Sequence, residues 1–100
     1  MLRIKDGVEL VGLSTHMVLA AIVVSQRFDD MGLDAWITSG SEGCHREGSL
    51  HYVGRALDFR SRHVSERARP GLRDEIAAAL GENYDVVLEA THYHCEHDPK

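Results

Sequence analysis

The sequence predicts an α+β domain in which helices pack on a small antiparallel or mixed sheet. Two stretches show apolar residues at helical spacing, and four short runs either alternate or are rich in β-branched or aromatic residues. Their order is helix, strand, loop, strand, helix, strand, strand, which is not the strict alternation of a doubly wound fold. With 100 residues, 43% of them hydrophobic, the chain is too short for two cores, so we expect one domain over residues 1–100.

The first predicted helix begins after Ser14, which can cap it, and ends near Gly32. Its apolar residues, all expected in the core, are Met17, Ala20, Ala21, Val24, Phe28 and Met31. Residues 35–38 (AWIT) predict a short strand that leads into a Gly- and Ser-rich loop over residues 39–49. Loops of this kind commonly hold functional residues on a rigid scaffold.

Residues 55–60 alternate between polar and apolar positions, which predicts a second strand. Leu57 and Phe59 share one face of this strand, and Asp58 lies on the other. We therefore expect the Asp58 carboxylate to point away from the apolar core.

A second helix is predicted between Pro70, which suits a first helical turn, and Gly81, which suits the end. Its apolar stripe consists of Leu72, Ile76, Ala79 and Leu80. Residues 84–89 (YDVVLE) and 91–96 (THYHCE) predict two further strands. The period of two places three polar side chains on one face of the last strand: His92, His94 and Glu96.

Charge and hydropathy argue against several function classes. The formal net charge is −5 without a cluster of Lys and Arg, so we expect no nucleic-acid partner. The longest apolar run, residues 17–24, is too short to span a bilayer, and the first residues lack the apolar stretch of a signal peptide. We expect a monomer made in the cytoplasm, with Cys44 and Cys95 as free thiols.

Histidine is unusually frequent, with seven residues in 100, and five of them fall in two short clusters: His45, His51, His92, His94 and His97. His51 precedes Asp58 by seven positions, and together they offer zinc one nitrogen and one oxygen ligand. Gly54 between them would let the chain turn closely. Either of the late histidines, His92 or His94, could supply a third ligand.

Three protein ligands are one fewer than structural zinc normally takes, and an open fourth position is typical of catalytic zinc. Such a zinc acidifies its bound water to a pKa of about 7, so that the water can act as a nucleophile. The reaction also needs a base, and Glu89, Glu96 and the non-ligating histidine are all candidates.

Two segments of the chain resemble short phage and bacterial peptidases of the D-alanyl-D-alanine carboxypeptidase family, which share a metal-binding core with hedgehog and lysostaphin-type enzymes. The segments are SGSEGCHREGSLHYVGRALDFR and YDVVLEATHYHCE, and the match covers about residues 36–97. The family pattern is Ser-x-His-x-x-Gly-x-Ala-x-Asp, then an acidic residue before a late His-x-His. Its named positions are Ser49, His51, Gly54, Ala56, Asp58, Glu89, His92 and His94.

This resemblance implies zinc bound by His51, Asp58 and His94, in a hedgehog-like fold. It implies that Glu89 is the general base and that His92 stabilises or protonates the reaction centre. Some relatives place the catalytic acid three residues before the metal histidine, which would make His92 the ligand instead. A further expectation, from the family's upstream arginine, is that Arg46 stabilises negative charge on the substrate.

The expected function is hydrolysis of a peptide bond in peptidoglycan stem peptides or cross-links, with action on the cell wall after phage-mediated release or in a virion. The resemblance implies this target. A non-catalytic zinc-stabilised module that binds the cell wall is the alternative. A non-haem iron oxygenase is a third hypothesis, although one residue normally separates the first histidine and the acid of such a site, and six separate His51 from Asp58 here.

Overall fold

Five strands and two helices form the protein in a computed structural model that describes residues 1–42 and 48–99. The elements are β1 (Leu2–Ile4), α1 (Thr15–Asp29), β2 (Ala35–Ser39), β3 (Ala56–Arg60), α2 (Arg69–Leu80), β4 (Tyr84–Leu88) and β5 (His92–His97). Two short 3-10 helices span Leu50–Val53 and Glu66–Ala68. The predicted α+β class and the order of its main elements are confirmed.

The sheet is mixed, with the strand order β1-β2-β3-β5-β4. β1 pairs with β2 in parallel, and every other neighbouring pair is antiparallel. β1 was not predicted, because three residues are too few for an alternating pattern to be recognised. α1 makes the crossover that a parallel connection requires.

Both helices lie close to their predicted bounds, and each corrects one expected core residue. Ser14 caps α1 by accepting a hydrogen bond from the Met17 N–H at 3.2 Å. Met31 is not core: α1 ends at Asp29, and Met31 lies in the following turn, 39% exposed. On α2, Ala79 is exposed, and Ala77 packs against the core instead.

The strands have two chemically different faces. On the helix-covered face, Leu57 and Phe59 of β3 and Tyr93 and Cys95 of β5 are fully buried against α1 and α2. The alternate residues, among them Asp58 and those of β5 between the buried positions, lie on the opposite, open face. Neither α1 nor α2 combines the length and apolar character that crossing a membrane requires.

The Cys95 thiol is free, as expected, and burial raises its pKa. Cys44 lies outside the described residues.

Candidate metal centre

Three side chains from separate parts of the chain meet on the open face. His51 Nε2 lies 3.2 Å from Asp58 Oδ1 and 3.2 Å from His94 Nδ1. The third side of this triangle, from His94 Nδ1 to Asp58 Oδ1, measures 2.9 Å. His51 and Asp58 are buried, and the side chain of His94 is 18% exposed. We call this group, His51, Asp58 and His94, the triad.

The sheet positions two members of the triad. In the antiparallel pairing of β3 with β5, Asp58 lies directly opposite His94. Directly opposed residues point to the same face with their Cβ atoms about 5 Å apart. The register that pairs the apolar residues therefore also brings the carboxylate and the imidazole together.

A 3-10 helix positions the third member. Ser49 caps the helix Leu50–Val53 by accepting a hydrogen bond from the His51 N–H at 3.2 Å. Gly54 ends it with φ of 72°, a left-handed conformation that favours glycine. A Cβ at Gly54 would also overlap the carbonyl oxygen of Gly12, so the N-terminal segment packs directly against this turn.

Gly40 and Glu42, just after β2, are tied to the same N-terminal segment. The Glu42 carboxylate accepts hydrogen bonds from the backbone N–H groups of Glu9 and Gly40 at 2.9 and 2.7 Å. Burial raises the pKa of the Glu42 carboxyl, but these N–H donors outweigh burial and hold it below its ordinary value. An ionised Glu42 thus holds Gly40 beside His51.

Hydrogen bonds on the far side of each imidazole orient the triad. His51 Nδ1 lies 2.8 Å from the carbonyl oxygen of Gly40, which only accepts, so Nδ1 donates. His94 Nε2 lies 2.7 Å from Glu96 Oε1 and donates to that carboxylate. In their neutral forms, both rings therefore direct a nitrogen lone pair at Asp58. Outer hydrogen bonds of this kind are typical of metal-ligating histidines.

Without a metal ion, the lone pairs that converge at the centre of the triad favour binding of a proton. The hydrogen bond to Asp58 raises the pKa of His94 to about 9, with a smaller contribution from Glu96, against a lowering by burial. Burial raises the pKa of the Asp58 carboxyl, but His51 and His94 outweigh burial and hold it well below its usual range. The triad thus favours one positive charge at its centre, and it could hold a metal ion there in place of the proton.

The spacing of the triad suits a metal ion. Tetrahedral zinc, with ligand bonds of about 2.0 to 2.2 Å, holds its ligand atoms roughly 3.3 Å apart. The observed separations of 2.9 to 3.2 Å need only a small expansion. One carboxylate and two imidazoles are also donors that zinc accepts. The triad could therefore hold a metal ion with His94, rather than His92, in the group.

His92 and Glu89 lie beside the triad. His92 Nε2 is 3.4 Å from Glu89 Oε2 and 3.7 Å from Asp58 Oδ2. The other ring nitrogen, Nδ1, is 3.0 Å from the Thr91 hydroxyl oxygen. Glu89 and His92, two of the three residues predicted to be catalytic, thus lie next to the triad, and Arg46 lies outside the described residues.

A groove of about 820 Å³ opens over the triad and is lined by Ser49, Leu50, Val87, Glu89, His92 and Glu96 in addition to the triad itself. This groove leaves the triad accessible to a ligand from the open face. Glu96 and Asp98 also line the groove, and carboxylate oxygens of these two residues and of Asp85 lie within 4.8 Å of one another.

No protein-family model matches this sequence, and no curated protein matches it significantly. The resemblance to the D-alanyl-D-alanine carboxypeptidase family therefore stays a prediction based on the motif residues.

Two features of the site were missed in the sequence. The Gly40 carbonyl leaves no trace in residue type, since every residue has one. Glu96 was considered only as a base, yet its placement two residues after His94 on the same strand face already indicated a contact between them.

Proposed function

We propose that this protein is a zinc-dependent peptidase that hydrolyses a peptide bond in peptidoglycan stem peptides or cross-links. The observation that supports this most strongly is the triad of His51, Asp58 and His94 beneath an accessible groove. Three protein donors leave a fourth position for water or substrate, which distinguishes catalytic from structural zinc. The peptidoglycan target comes from the resemblance in the motif residues.

The triad would hold the metal, and the outer hydrogen bonds would keep it in position. The Gly40 carbonyl orients His51, and the Glu96 carboxylate orients His94. Because Glu96 is engaged at 2.7 Å with a proposed ligand, we assign it a positioning role rather than that of the base. When bound, zinc would acidify a water molecule and polarise the scissile carbonyl.

Proton transfer falls to Glu89 and His92. The Glu89 side chain is half exposed and lines the groove, so its carboxylate can accept a proton from an attacking water. His92 Nε2, 3.4 Å from that carboxylate, can receive the proton and deliver it to the leaving amine. In this scheme, the pair lies at the edge of the triad, and neither residue is a ligand.

Metal analysis combined with mass spectrometry of muropeptides after digestion of purified cell wall tests this proposal, because the mass lost identifies the bond. We expect one zinc per chain and cleavage in the wild type. Asp58→Asn should lose both. Glu89→Gln should keep zinc and lose cleavage by at least about 100-fold, the usual contribution of a general base.

Glu75→Gln is the matched control, because it makes the same substitution at an exposed position of α2 on the other side of the sheet. It should keep both zinc and cleavage. Full cleavage by metal-free protein would overturn the proposal. Zinc content and cell-wall binding without turnover would show the non-catalytic binding module instead.

A further inference from the structure

A second cavity adjoins the metal centre and differs from it in charge. It has a volume of about 280 Å³ and is lined by Lys5, Thr38, Arg60, Arg62, Thr91 and His92. Its basic residues come from three places in the chain, namely the segment after β1, the end of β3 and the residues that follow. We call Lys5, Arg60 and Arg62 the basic cluster.

In the part of the chain that the structure describes, the cations of the basic cluster have no carboxylate partner. Within residues 1–42 and 48–99, none of the three forms a salt bridge. Arg3 of β1 differs from these three residues because it has a carboxylate partner: its Nε lies 2.6 Å from an oxygen of Asp34. Three like charges gathered without a carboxylate counter-ion from the described residues are unexpected in a chain of net charge −5, because their mutual repulsion opposes the arrangement. An anionic ligand would relieve it.

One cation of the cluster is held in place by an aromatic ring. The Arg60 guanidinium lies 4.9 Å from the centre of the Trp36 ring. Stacking on an aromatic face restricts a guanidinium that would otherwise move freely in solvent. Arg60 is accordingly half-buried, whereas Lys5 and Arg62 are exposed. The cluster therefore combines a fixed, planar donor with two mobile charges, which suits a carboxylate.

The basic cluster is close enough to the triad for one short peptide to contact both. Arg60 follows Asp58 by two positions on the same face of β3 and pairs with His92 of β5. Two strand residues span about 7 Å, and an extended peptide covers that distance in about two residues. A peptide bond at the triad would thus place a group about two residues away at the basic cluster.

The distribution of charge along the open face also favours one orientation of a bound peptide. Glu96 and Asp98 line the groove on the other side of the triad, and Asp85 lies beside them; the negative charges there repel a carboxylate. The open face therefore has three cations, beside the single carboxylate of Glu89, on the His92 side of the triad, and a group of carboxylates on the other side.

From this geometry, we propose that Lys5, Arg60 and Arg62 form a subsite for a substrate carboxylate about two residues from the bond above the triad. The inference rests on the proposed function for the statement that the substrate is a peptide. It specifies the class: peptides with a free carboxylate near the reacting bond, in preference to their amidated counterparts.

A matched pair of probes tests the subsite: Nα-acetyl-D-alanyl-D-alanyl-D-alanine, whose carboxylate lies two residues beyond its first D-alanyl–D-alanine bond, and the C-terminal amide of the same peptide. Both are titrated against zinc-loaded Glu89→Gln protein, in which turnover does not consume the probe. By NMR or calorimetry, we expect the acid to bind at least about tenfold more tightly than the amide. Adding Arg60→Gln and Arg62→Gln should reduce this preference to less than about twofold and leave binding of the amide unchanged. Raised salt should weaken binding of the acid alone.

Arg67→Gln is the control, because it removes the same charge from an exposed position of the second 3-10 helix. It should retain the preference. Equal binding of the acid and the amide by the Glu89→Gln protein would overturn the proposed subsite. So would loss of binding of both probes when Arg60→Gln and Arg62→Gln are added. Tighter binding of inorganic phosphate than of the acid probe would overturn its assignment to a carboxylate. Carboxylate preference without cell-wall cleavage by wild-type protein would refute the proposed function and leave the subsite standing.

Discussion

The two faces of the sheet use the same strands for opposite purposes. On β3, Phe59 is fully buried against the helices, while its neighbour Asp58 points into the groove with 9% of its surface exposed. On β5, Tyr93 and Cys95 are fully buried on either side of His94. Because side chains alternate, a single register builds the core on one face and the triad on the other. Stability and chemistry should therefore respond to substitutions at adjacent positions in different ways.

The largest expected effect is on the helix-covered face. Phe59→Ala removes a fully buried ring from the core and should lower the free energy of unfolding by about 3 to 5 kcal/mol. Urea unfolding with and without zinc measures it, and the loss should be similar in both. A loss confined to the zinc-loaded protein would contradict the separation of the two faces.

On the open face, the expected effect depends on the metal. Zinc in about 100-fold excess over its dissociation constant should raise the free energy of unfolding of the wild type by about 2.7 kcal/mol. Asp58→Asn should abolish this gain, since it removes the only carboxylate of the triad. Cys95→Ala, on the covered face beside His94, should unfold more easily yet retain the full gain. An equal zinc response in wild type and Asp58→Asn would refute the triad as the metal site.

The metal-free triad should respond to pH. The pKa of His94 is raised from 6.5 to about 9, so the folded state binds the imidazole proton more tightly than the unfolded state does. The resulting stabilisation is complete below pH 6.5 and is lost as pH rises through 9. Between pH 6.5 and 9.5, we expect the free energy of unfolding to fall by on the order of 2 kcal/mol. His94→Gln should remove this slope, while His16→Gln should keep it. A rise in stability over this interval would contradict the proton-holding triad.

The smallest effects come from two neighbours on β4. Val86 is 6% exposed and faces the core, whereas Val87 is 47% exposed and lies opposite His94. Val86→Ala should lower the free energy of unfolding by about 1.5 kcal/mol, at about 0.8 kcal/mol for each buried methylene. Val87→Ala should change it by less than about 0.5 kcal/mol. Thermal unfolding compares them, and equal losses would show that the open face is also buried.

Much of this division was predictable from residue patterns. The alternation of residues 55–60 and 91–96 placed Asp58, His94 and Glu96 away from the core, as observed. The expectations for Met31 and Ala79 were wrong because helical spacing extends a pattern beyond the point where the neighbouring elements stop covering it. Exposure at a helix end depends on what packs there.

By itself, the sequence determined the α+β class, the main elements and the residues able to bind a metal, because alternation, helical spacing and residue chemistry are local properties. Only the tertiary structure decided which of them meet. Strand register placed His94 opposite Asp58, and the 3-10 helix brought His51 to them. The fold also gathered Lys5, Arg60 and Arg62 in one cavity. These contacts join positions far apart in the chain, and their distances follow from packing of the whole domain rather than from any one segment.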